Sequence, residues 1–582
     1  MSESLYCRTC ATLVRTPHRL TLLSRLLTFF GILLIVGMLP WLSGSDPALA
    51  LLRARSGEQE ATAETLTAIR QSLGLDRGPL SLFGHWLWQL LQGDAGVSWV
   101  SGRPVLPGML QAAGVSLTLM AAAALVAAVL AAALCLPVLW RGLHGKPRVS
   151  SGIAAATLTT LPEFLLATVL LIVGAVWLRW LPPYGWQGVQ HVILPALALG
   201  IPAGGYLGRI FADALSESLN EKWLLTWSVA GIARRHLLLA LLTRALPGVL
   251  PLLSLVLVSM TGGAIAVEKV FAIPGIGRAT LGAAAAQDLP ALQAGVLIML
   301  LLAAVAGLLT SALRQLLLGR ALRGGAMPTP AINRTPSSHG AIWLTALCLA
   351  LFCLLLLAGL TRDPYLSGFT RLQPPSLALP FGADAMGRDL LARVAHGTLH
   401  TCVMAFVAAL ICLLIGLLAG FFPRFCSGPI EAANALPPVM AGLIVAALTG
   451  PSAGGAVLAV ILVSWAPLAA HTAALLSEAR ARAWVQMLPI LGVGPLRAGL
   501  CYLLPAVAGP LFRHAMLRVP GIALALASLG FLGLGAAPPL PEWGRLLAEG
   551  MPYVERAYWV VLAPGGALMV LSLLAIGAGR LR

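Results

Sequence analysis

Apolar residues in this chain come in long, nearly unbroken runs, separated by short stretches that carry arginine, proline and glycine. An α-helix needs about 20 apolar residues to cross a hydrocarbon layer about 30 Å thick, so each run predicts a membrane span. About twelve can be placed. In the first half they lie at Leu20–Leu42, Gly114–Leu136, Ile153–Leu178, His191–Leu207, Leu246–Val267 and Ala291–Leu313. In the second half they lie at Ala341–Leu360, Thr401–Phe422, Ala435–Leu448, Gly455–Leu475, Leu503–Leu526 and Ala557–Ile576. Glycine and proline inside several runs do not argue against a span, because neighbouring helices can satisfy the backbone groups they free.

The order of the runs repeats. Gly102-Arg103-Pro104-Val105-Leu106 precedes the second span of one half, and Gly387-Arg388-Asp389-Leu390-Leu391 precedes the corresponding span of the other. The third spans carry Leu161-Pro162-Glu163-Phe164 and Leu436-Pro437-Pro438-Val439. With an even number of spans per half, both halves enter the membrane in the same sense, which predicts a pseudo-twofold axis along the membrane normal and a pathway at their interface. The segment Gly319–Gly340, with Pro328, Pro330 and Pro336, has no apolar period and reads as a flexible tether.

Composition agrees with a protein whose main solvent is lipid: 59% of its 582 residues are hydrophobic and 10% are charged, and its mean hydropathy is +0.89. The net charge of +17 does not come from a basic stripe with interleaved aromatics, so nucleic acid is not an expected partner. The basic residues instead set an orientation, because short cationic loops stay on the cytoplasmic side. With the amino terminus inside, Arg8, Arg15, Arg19 and Arg25, the loop of Arg141, Lys146 and Arg148, the loop of Arg209, Lys222, Arg234, Arg235 and Arg244, and the tether with Arg320, Arg323 and Arg334 all face the cytoplasm. The long segment Gly44–Ala113 then falls outside, and both termini are cytoplasmic. The first run is long, lacks a small-residue cleavage site close behind it, and reads as a retained helix.

Candidate chemistry is sparse. Gly142-Leu143-His144-Gly145-Lys146-Pro147 lacks the spacing and the hydroxyl residue of a phosphate cradle. The ten histidines show no paired-ligand spacing, and the pair Cys7 and Cys10 has metal-ligand spacing but no second pair. No catalytic, metal or cofactor site is expected. Glu163 stands apart as a carboxylate inside the third span, where charge is costly unless it meets protein or water. It either lines a translocation path and meets a cationic part of a solute, or is held protonated or hydrogen-bonded between helices.

Between the fourth and fifth spans of each half lies a polar-flanked segment with a glycine at its centre. One runs from Trp227 through Ala230, Gly231, Ile232, Arg234 and Arg235 to Leu246-Pro247, and the other from Trp484 through Gln486, Leu491, Gly492 and Val493 to Leu504-Pro505. A short helix, a glycine turn and a second helix ending at the proline would present a knob to a soluble partner.

These segments resemble the coupling loop of type I ABC importer permeases, in particular the dipeptide, oligopeptide and nickel family, and the resemblance covers nearly the whole chain. Asp46-Pro47-Ala48, Leu73-Gly74-Leu75-Asp76, Gly93–Ser98, Glu268, Pro274-Gly275-Ile276-Gly277, Asp288-Leu289-Pro290 and Gln293 resemble one permease subunit of that family. Pro380–Asp384, Met386–Asp389, Leu529–Gly535 and Pro541-Glu542-Trp543-Gly544 resemble its partner subunit. The chain thus looks like a fusion of both. The resemblance implies an all-α type I permease fold of two parallel six-helix repeats. It also implies two cytoplasmic ATPase subunits that bind ATP and Mg, a periplasmic solute-binding protein, and a bacterial inner-membrane location. Two departures stand out: the Glu-Ala-Ala-type run before the loop glycine is missing in both halves, and Pro489 interrupts the second loop helix.

The expected partition is residues 1–113 as the first helix and outer segment, 114–318 as the first transmembrane domain and 319–340 as the tether. Residues 341–396 form the corresponding helix and segment, and 397–582 the second transmembrane domain. A secondary transporter would show similar repeats, but should couple to protons or sodium through several buried acids.

Overall fold

The computed structural model describes residues 17–42, 48–49, 51–52, 62–72, 78–144, 158–159, 161–318 and 339–580. Cys7 and Cys10, residues 145–150, most of Asp46-Pro47-Ala48 and of Leu73–Asp76, and the tether over 319–338 lie outside the described residues.

The chain is helical almost throughout, with only isolated bridges such as Val97 with Pro104 among the described residues. The first half comprises α1 (Pro17–Gly37), α2 (Val105–Leu143), α3 (Glu163–Leu170, continued by a π-helical stretch Leu171–Trp177) and α4 (Val189–Ser218). After these come the short α5 (Lys222–Val229), the long α6 (Arg234–Val270), α7 (Ile276–Ala285) and α8 (Leu289–Leu318). The second half comprises α9 (His339–Gly359), α10 (Leu390–Phe421), α11 (Ser427–Ala435), α12 (Pro438–Thr449), α13 (Ala453–Ser464) and α14 (Ala466–Arg480). It ends with the short α15 (Ala483–Met487), then α16 (Leu504–Leu532), α17 (Trp543–Gly550) and α18 (Trp559–Arg580).

Seven helices are long and apolar enough to cross a membrane, and α11 with α12 makes an eighth if that bent pair is one span. Shorter apolar helices occupy the expected first, third and twelfth positions, Leu22–Gly37, Glu163–Trp177 and Trp559–Leu574. The expected span Leu246–Val267 lies inside α6. The third spans are therefore not uniform rods. Pro437 and Pro438 both lack an N–H, and a residue before proline is driven out of the helical region. Leu436 is accordingly extended (φ −103°, ψ 113°), and α12 leaves α11 at 97°. Pro162 is likewise extended, with ψ 138°, so Glu163 stands in the first turn of α3 rather than deep inside a continuous span.

The coupling-segment helices also differ from expectation. The second helix does not end at the proline: α6 continues through position 247 to Val270. In the other half a π-helical turn, Ala498–Leu503, leads into α16 with Pro505 in its first turn. The wider turn absorbs the missing proline N–H.

Close packing of the second and fourth spans holds each half together. Lipid tails are as apolar as leucine, so such contacts rely on small residues that let backbones approach. On α4, Gly200, Gly204 and Gly208 recur every four residues along one face. A Cβ added to Gly200 would fall 2.7 Å from the Ala123 carbonyl oxygen of α2, and one added to Gly204 would fall 2.9 Å from the Cα of Ala127.

The first helices of the two halves are placed differently. Against the second half, Ser24 of α1 donates to the Phe425 carbonyl at 2.6 Å and accepts from the Gly428 N–H at 3.0 Å. Arg25 pairs with Glu431 of α11 at 2.6 Å. In contrast α9 stays with its own half: Gly359 meets Ala395 of α10, and Gly577 of α18 leaves room for Thr345.

Candidate functional site

Two faces of the molecule follow from the helix ends. The segment holding Ser98 and Trp99 binds Asp288, just after α7, through the Ser98 hydroxyl and through the Trp99 N–H at 3.1 Å. In the second half, Asp384 accepts from Arg388 Nε at 2.8 Å and from Arg393 at 2.6 Å, and Arg393 also reaches Glu549 of α17 at 2.9 Å. Burial alone would raise Asp384, but the Arg388 N–H and the Arg393 and Arg388 guanidinium groups outweigh it and hold its carboxyl below the ordinary value of 3.8. The residue segments 78–104 and 360–389 thus share the face where α6 and α16 end. The segments around Gly231 and Gly492 lie on the opposite face, where those helices begin.

On that opposite face the two halves repeat their backbone closely. Gly231 and Gly492 both have φ +76°, the left-handed region that favours glycine. The Ile232 N–H bonds the Trp227 carbonyl at 3.2 Å and the Gly231 N–H that of Ser228 at 3.2 Å; the Val493 N–H bonds Leu488 at 3.0 Å and the Gly492 N–H bonds Pro489 at 3.1 Å. Both are Schellman closures of a short helix. Ala230, Gly231, Arg234, Arg235, Gln486, Leu491 and Gly492 are exposed, and Ile232 and Val493 half-buried. Arg234 bonds His144 at 3.0 Å, and Gln486 bonds the Ala481 carbonyl at 3.4 Å. Beneath each knob lies a separate apolar cluster, Leu224 with Leu237 and Leu241 in one half and Val485 with Leu488 and Leu503 in the other. Large apolar side chains stand free above them, Val229 at 81% and Ile490 at 77% exposure. Pro489 leaves α15 five residues long where α5 has eight.

Between the halves lies a cavity of about 890 Å³. Two helix faces form its long walls. Leu255, Ser259, Gly262, Gly263 and Ala266 of α6 face Leu517, Arg518, Gly521, Ala525 and Ser528 of α16. Each set recurs at helical spacing, and its small residues hold the walls apart only by their own width. At Gly262 a Cβ would meet Pro437 of the other half at 2.6 Å, so α6 crosses the α11–α12 break without a side chain between.

Glu163 lines this cavity. It lies over Gly263, where a Cβ would come within 3.3 Å of its carboxyl carbon. Its counterpart Pro438 heads α12 as Glu163 heads α3. Arg518 lines the same cavity from the middle of α16, and sequence reading passed over it. The signal was present: an arginine near the centre of the expected span Leu503–Leu526 is as costly there as a carboxylate.

Toward the face of the long segments the cavity is shut. The Phe164 ring of α3 stacks on Phe531 of α16 at 5.4 Å, joining the halves. Lys269 of α6 donates to the Phe531 carbonyl at 2.9 Å and lies over its ring at 5.4 Å.

Besides Asp288, Asp384 and Asp389, two further carboxylates are buried, Glu268 at 0% and Glu542 at 2% exposure. Neither lines the cavity. Glu268 accepts from the Ser116 hydroxyl and from the Arg278 N–H at 2.9 Å, sitting at the amino end of α7, where partial positive charge favours a carboxylate. Gly275 and Gly277 make room for it, since a Cβ at Gly275 would fall 2.2 Å from its carboxyl. Glu542 occupies a similar nest against Gly530 and Gly535, accepting from the Ala536 N–H at 3.2 Å. The glycine strings of both halves are thus carboxylate seats. These acids brace the ends of the halves away from Gly231 and Gly492 and stand apart from the cavity.

A membrane protein of two parallel helical halves, with a cavity at their interface and a matched pair of exposed knobs on one face, has the form of a permease worked from outside itself. The sequence matches the family described as binding-protein-dependent transport system inner membrane component twice, over residues 124–323 and 408–581, and the chain belongs to that family. It is 36% identical over 224 residues to the di/tripeptide transport system permease protein DppC of Pseudomonas aeruginosa strain UCBPP-PA14, covering 37% of this chain and 73% of that one. It is 33% identical over 269 residues to the glutathione transport system permease protein GsiC of Escherichia coli O6:H1, covering 46% of this chain and 84% of that one. Each relative spans less than half of this chain while most of its own length is matched. The chain is a multi-pass ABC transporter permease in which two permease units are fused.

Proposed function

We propose that this chain forms the whole translocation path of an importer for short peptides in the bacterial inner membrane. A periplasmic binding protein delivers solute to the face of residues 78–104 and 360–389, and two cytoplasmic ATPase subunits dock on the opposite face, one at each knob. Both termini lie in the cytoplasm. ATP and Mg are bound by the partners, and the chain itself supplies no catalysis and holds no cofactor or metal. The relatives named for di/tripeptides and for glutathione favour peptides as cargo over nickel or metal chelates. Glu163 contacts the solute on its way through the cavity.

The matched Schellman turns at Gly231 and Gly492 carry this reading, because a pair of rigid, exposed, apolar knobs is what two identical or similar motors need in order to push two halves alternately. ATPase closure would shift the knobs, rock α6 against α16, and part the Phe164–Phe531 contact while the other end of the cavity closes. A secondary transporter is disfavoured, since the buried acids other than Glu163 are held by fixed partners away from the cavity, Glu268 and Glu542 in glycine seats, Asp384 and Asp389 by arginines and Asp288 by the Trp99 N–H.

The test is reconstitution of the chain with its ATPases and binding protein in proteoliposomes. Gly231→Glu or Gly492→Glu should leave membrane insertion intact, keep ATP hydrolysis and reduce uptake at least tenfold. Normal uptake by both variants, or a complex of two chains with four ATPases, overturns the reading. Uptake that persists without the ATPases and collapses with uncouplers establishes the secondary transporter instead.

A further inference from the structure

The cavity holds one ionisable side chain from each half, and the two are opposite in kind: the Glu163 carboxyl from α3 and the Arg518 guanidinium from α16. Among the described residues neither forms an ion pair, with the other or with any third group. Both side chains are half-buried. Arg393, by contrast, is matched by Asp384 and Glu549, so two ionisable groups of opposite kind that share one cavity without an ion pair call for an explanation.

Their position sharpens it. Arg518 lies inside the helical span Pro495–Leu532, 14 residues from its far end, or about 21 Å along the axis at the usual helical rise. Inside a span an unpaired charge is costly and marks the place where transporters hold their solutes. Arg518 has near it the Cys412 thiol and the Tyr206 hydroxyl, neither of which is a carboxylate. Pro520, two residues on, lacks the N–H that would bond the Met516 carbonyl. On the other wall Gly263 lets the Glu163 carboxyl lie flat against α6. The remaining polar lining is neutral: Ser259, Ser464, Ser528, Asn434 and Thr159. The volume, about 890 Å³, is that of a pocket for a small organic solute.

We propose that Glu163 and Arg518 form a two-ended charge filter for zwitterions, with Arg518 receiving the α-carboxylate and Glu163 the α-ammonium of a short peptide. A guanidinium takes a carboxylate in a forked, two-bond contact, and a carboxylate takes an ammonium as a point charge. A solute bearing both termini neutralises both walls at once, whereas one blocked at either end leaves a charge uncompensated in the cavity. Because the two charges come from different halves, rocking the halves apart separates them and releases the solute. The inference rests on the reading of the chain as a peptide importer, and adds which groups of the peptide the path itself reads.

Equilibrium binding to the full chain in nanodiscs, without binding protein or ATPases, tests it apart from transport. The probes are Ala-Ala, N-acetyl-Ala-Ala and Ala-Ala-amide. The wild type should bind Ala-Ala about tenfold or more tightly than either blocked probe. Arg518→Gln should abolish the preference for Ala-Ala over the amide and keep the preference over the acetylated probe; Glu163→Gln should do the reverse. Arg518→Lys should retain part of the carboxylate preference, which a merely structural arginine would not explain. Three results overturn the proposal: no binding of Ala-Ala at millimolar concentration, equal binding of all three probes by the wild type, or equal weakening of all probes by both variants. Failure of ATP-driven uptake with the binding pattern intact would instead count against the importer reading.

Discussion

In the first half the glycines that let the second and fourth spans touch lie on the fourth, as Gly200, Gly204 and Gly208; in the second half they lie on the second, as Gly416 and Gly420. Gly416 faces Leu468, and Gly420 faces Thr472, both of α14. The contact is repeated while the residue that permits it has changed sides. What the two halves share is a distance between backbones, and either partner can supply the missing Cβ. The faces away from the knobs diverge in the same manner: one half ties its segment down with uncharged donors on Asp288, the other with a buried ionic cluster about Arg393.

That second contrast predicts the largest effect. Arg393 is 1% exposed and bonds both Asp384 and Glu549. Arg393→Ala would remove the fully buried cation that joins the two carboxylates, leaving Asp384 to Arg388 and Glu549 to Arg545, at a cost of up to about 3–5 kcal/mol. Asp288→Asn, which keeps an acceptor for the Trp99 N–H and turns an amide donor toward the Ser98 hydroxyl oxygen, should cost about 1 kcal/mol. Thermal unfolding of the two variants in detergent checks the ratio, and equal losses would show that the ionic cluster is no more than a surface decoration. Acid sharpens the same comparison. Because the folded Asp384 is depressed, its contribution is complete above its unfolded value near 3.8 and fades as pH falls through the lower folded value, so the wild type should lose stability there.

The exchanged glycines come next. Gly204→Ala would thrust a Cβ against the Ala127 Cα and carbonyl oxygen, each at 2.9 Å, and backbone cannot be trimmed by a second mutation. A cost of about 1–3 kcal/mol is expected, with no rescue from Ala127→Gly. Gly420→Ala should cost a similar amount, since its Cβ would fall 2.4 Å from that of Thr472. Here Thr472→Gly removes the obstacle, and the double variant should regain most of the loss. If it does not, the shared quantity is something other than backbone separation.

Sequence reading found the spans because hydrocarbon imposes length and apolarity on each one separately. It found the repeat and both knobs, including the glycines whose φ is +76°. It did not find the 97° break at α11–α12, although Pro437-Pro438 was in view, because a run of apolar residues looks the same bent or straight. The cavity was half legible. Glu163 drew attention as a carboxylate in a span, whereas Arg518, which stands close to Arg513 and His514, was passed over. Only packing shows which of those side chains faces the other half. The seal of Phe164 on Phe531 joins residues 367 positions apart in sequence and could not be read from either neighbourhood.

Glu542 offers a smaller effect in the second half. Outside the spanning helices, its burial raises it to about 7, against the Ala536 N–H and the nearby Arg545, which pull it down. An acid raised on folding is more stable folded when protonated, so its penalty is absent below its ordinary value of 4.5 and grows as pH rises to about 7. Glu542→Gln should flatten the unfolding-temperature profile over that window. A wild-type profile already flat there would show that the carboxylate is better compensated than its seat suggests.

The smallest effect asks whether the two knobs are equivalent in energy as they are in shape. Gly231 and Gly492 have the same φ of +76°, and a Cβ at either would meet nothing within 4 Å. The cost of Gly→Ala is then the intrinsic one for the left-handed region, about 1–2 kcal/mol, partly offset by about 0.4–1 kcal/mol from a less disordered unfolded chain. A net loss of about 1 kcal/mol is expected at each site, and asparagine, which tolerates this conformation, should recover most of it. The helices leading in differ, eight residues at α5 and five at α15. If that difference mattered to the turn, Gly492→Ala would be the costlier change, because the shortened α15 has fewer backbone bonds with which to hold the strained residue. Equal shifts in unfolding temperature for the two alanine variants would show that each turn closes on its own two hydrogen bonds, and that Pro489 alters what the second knob presents without altering how it is made.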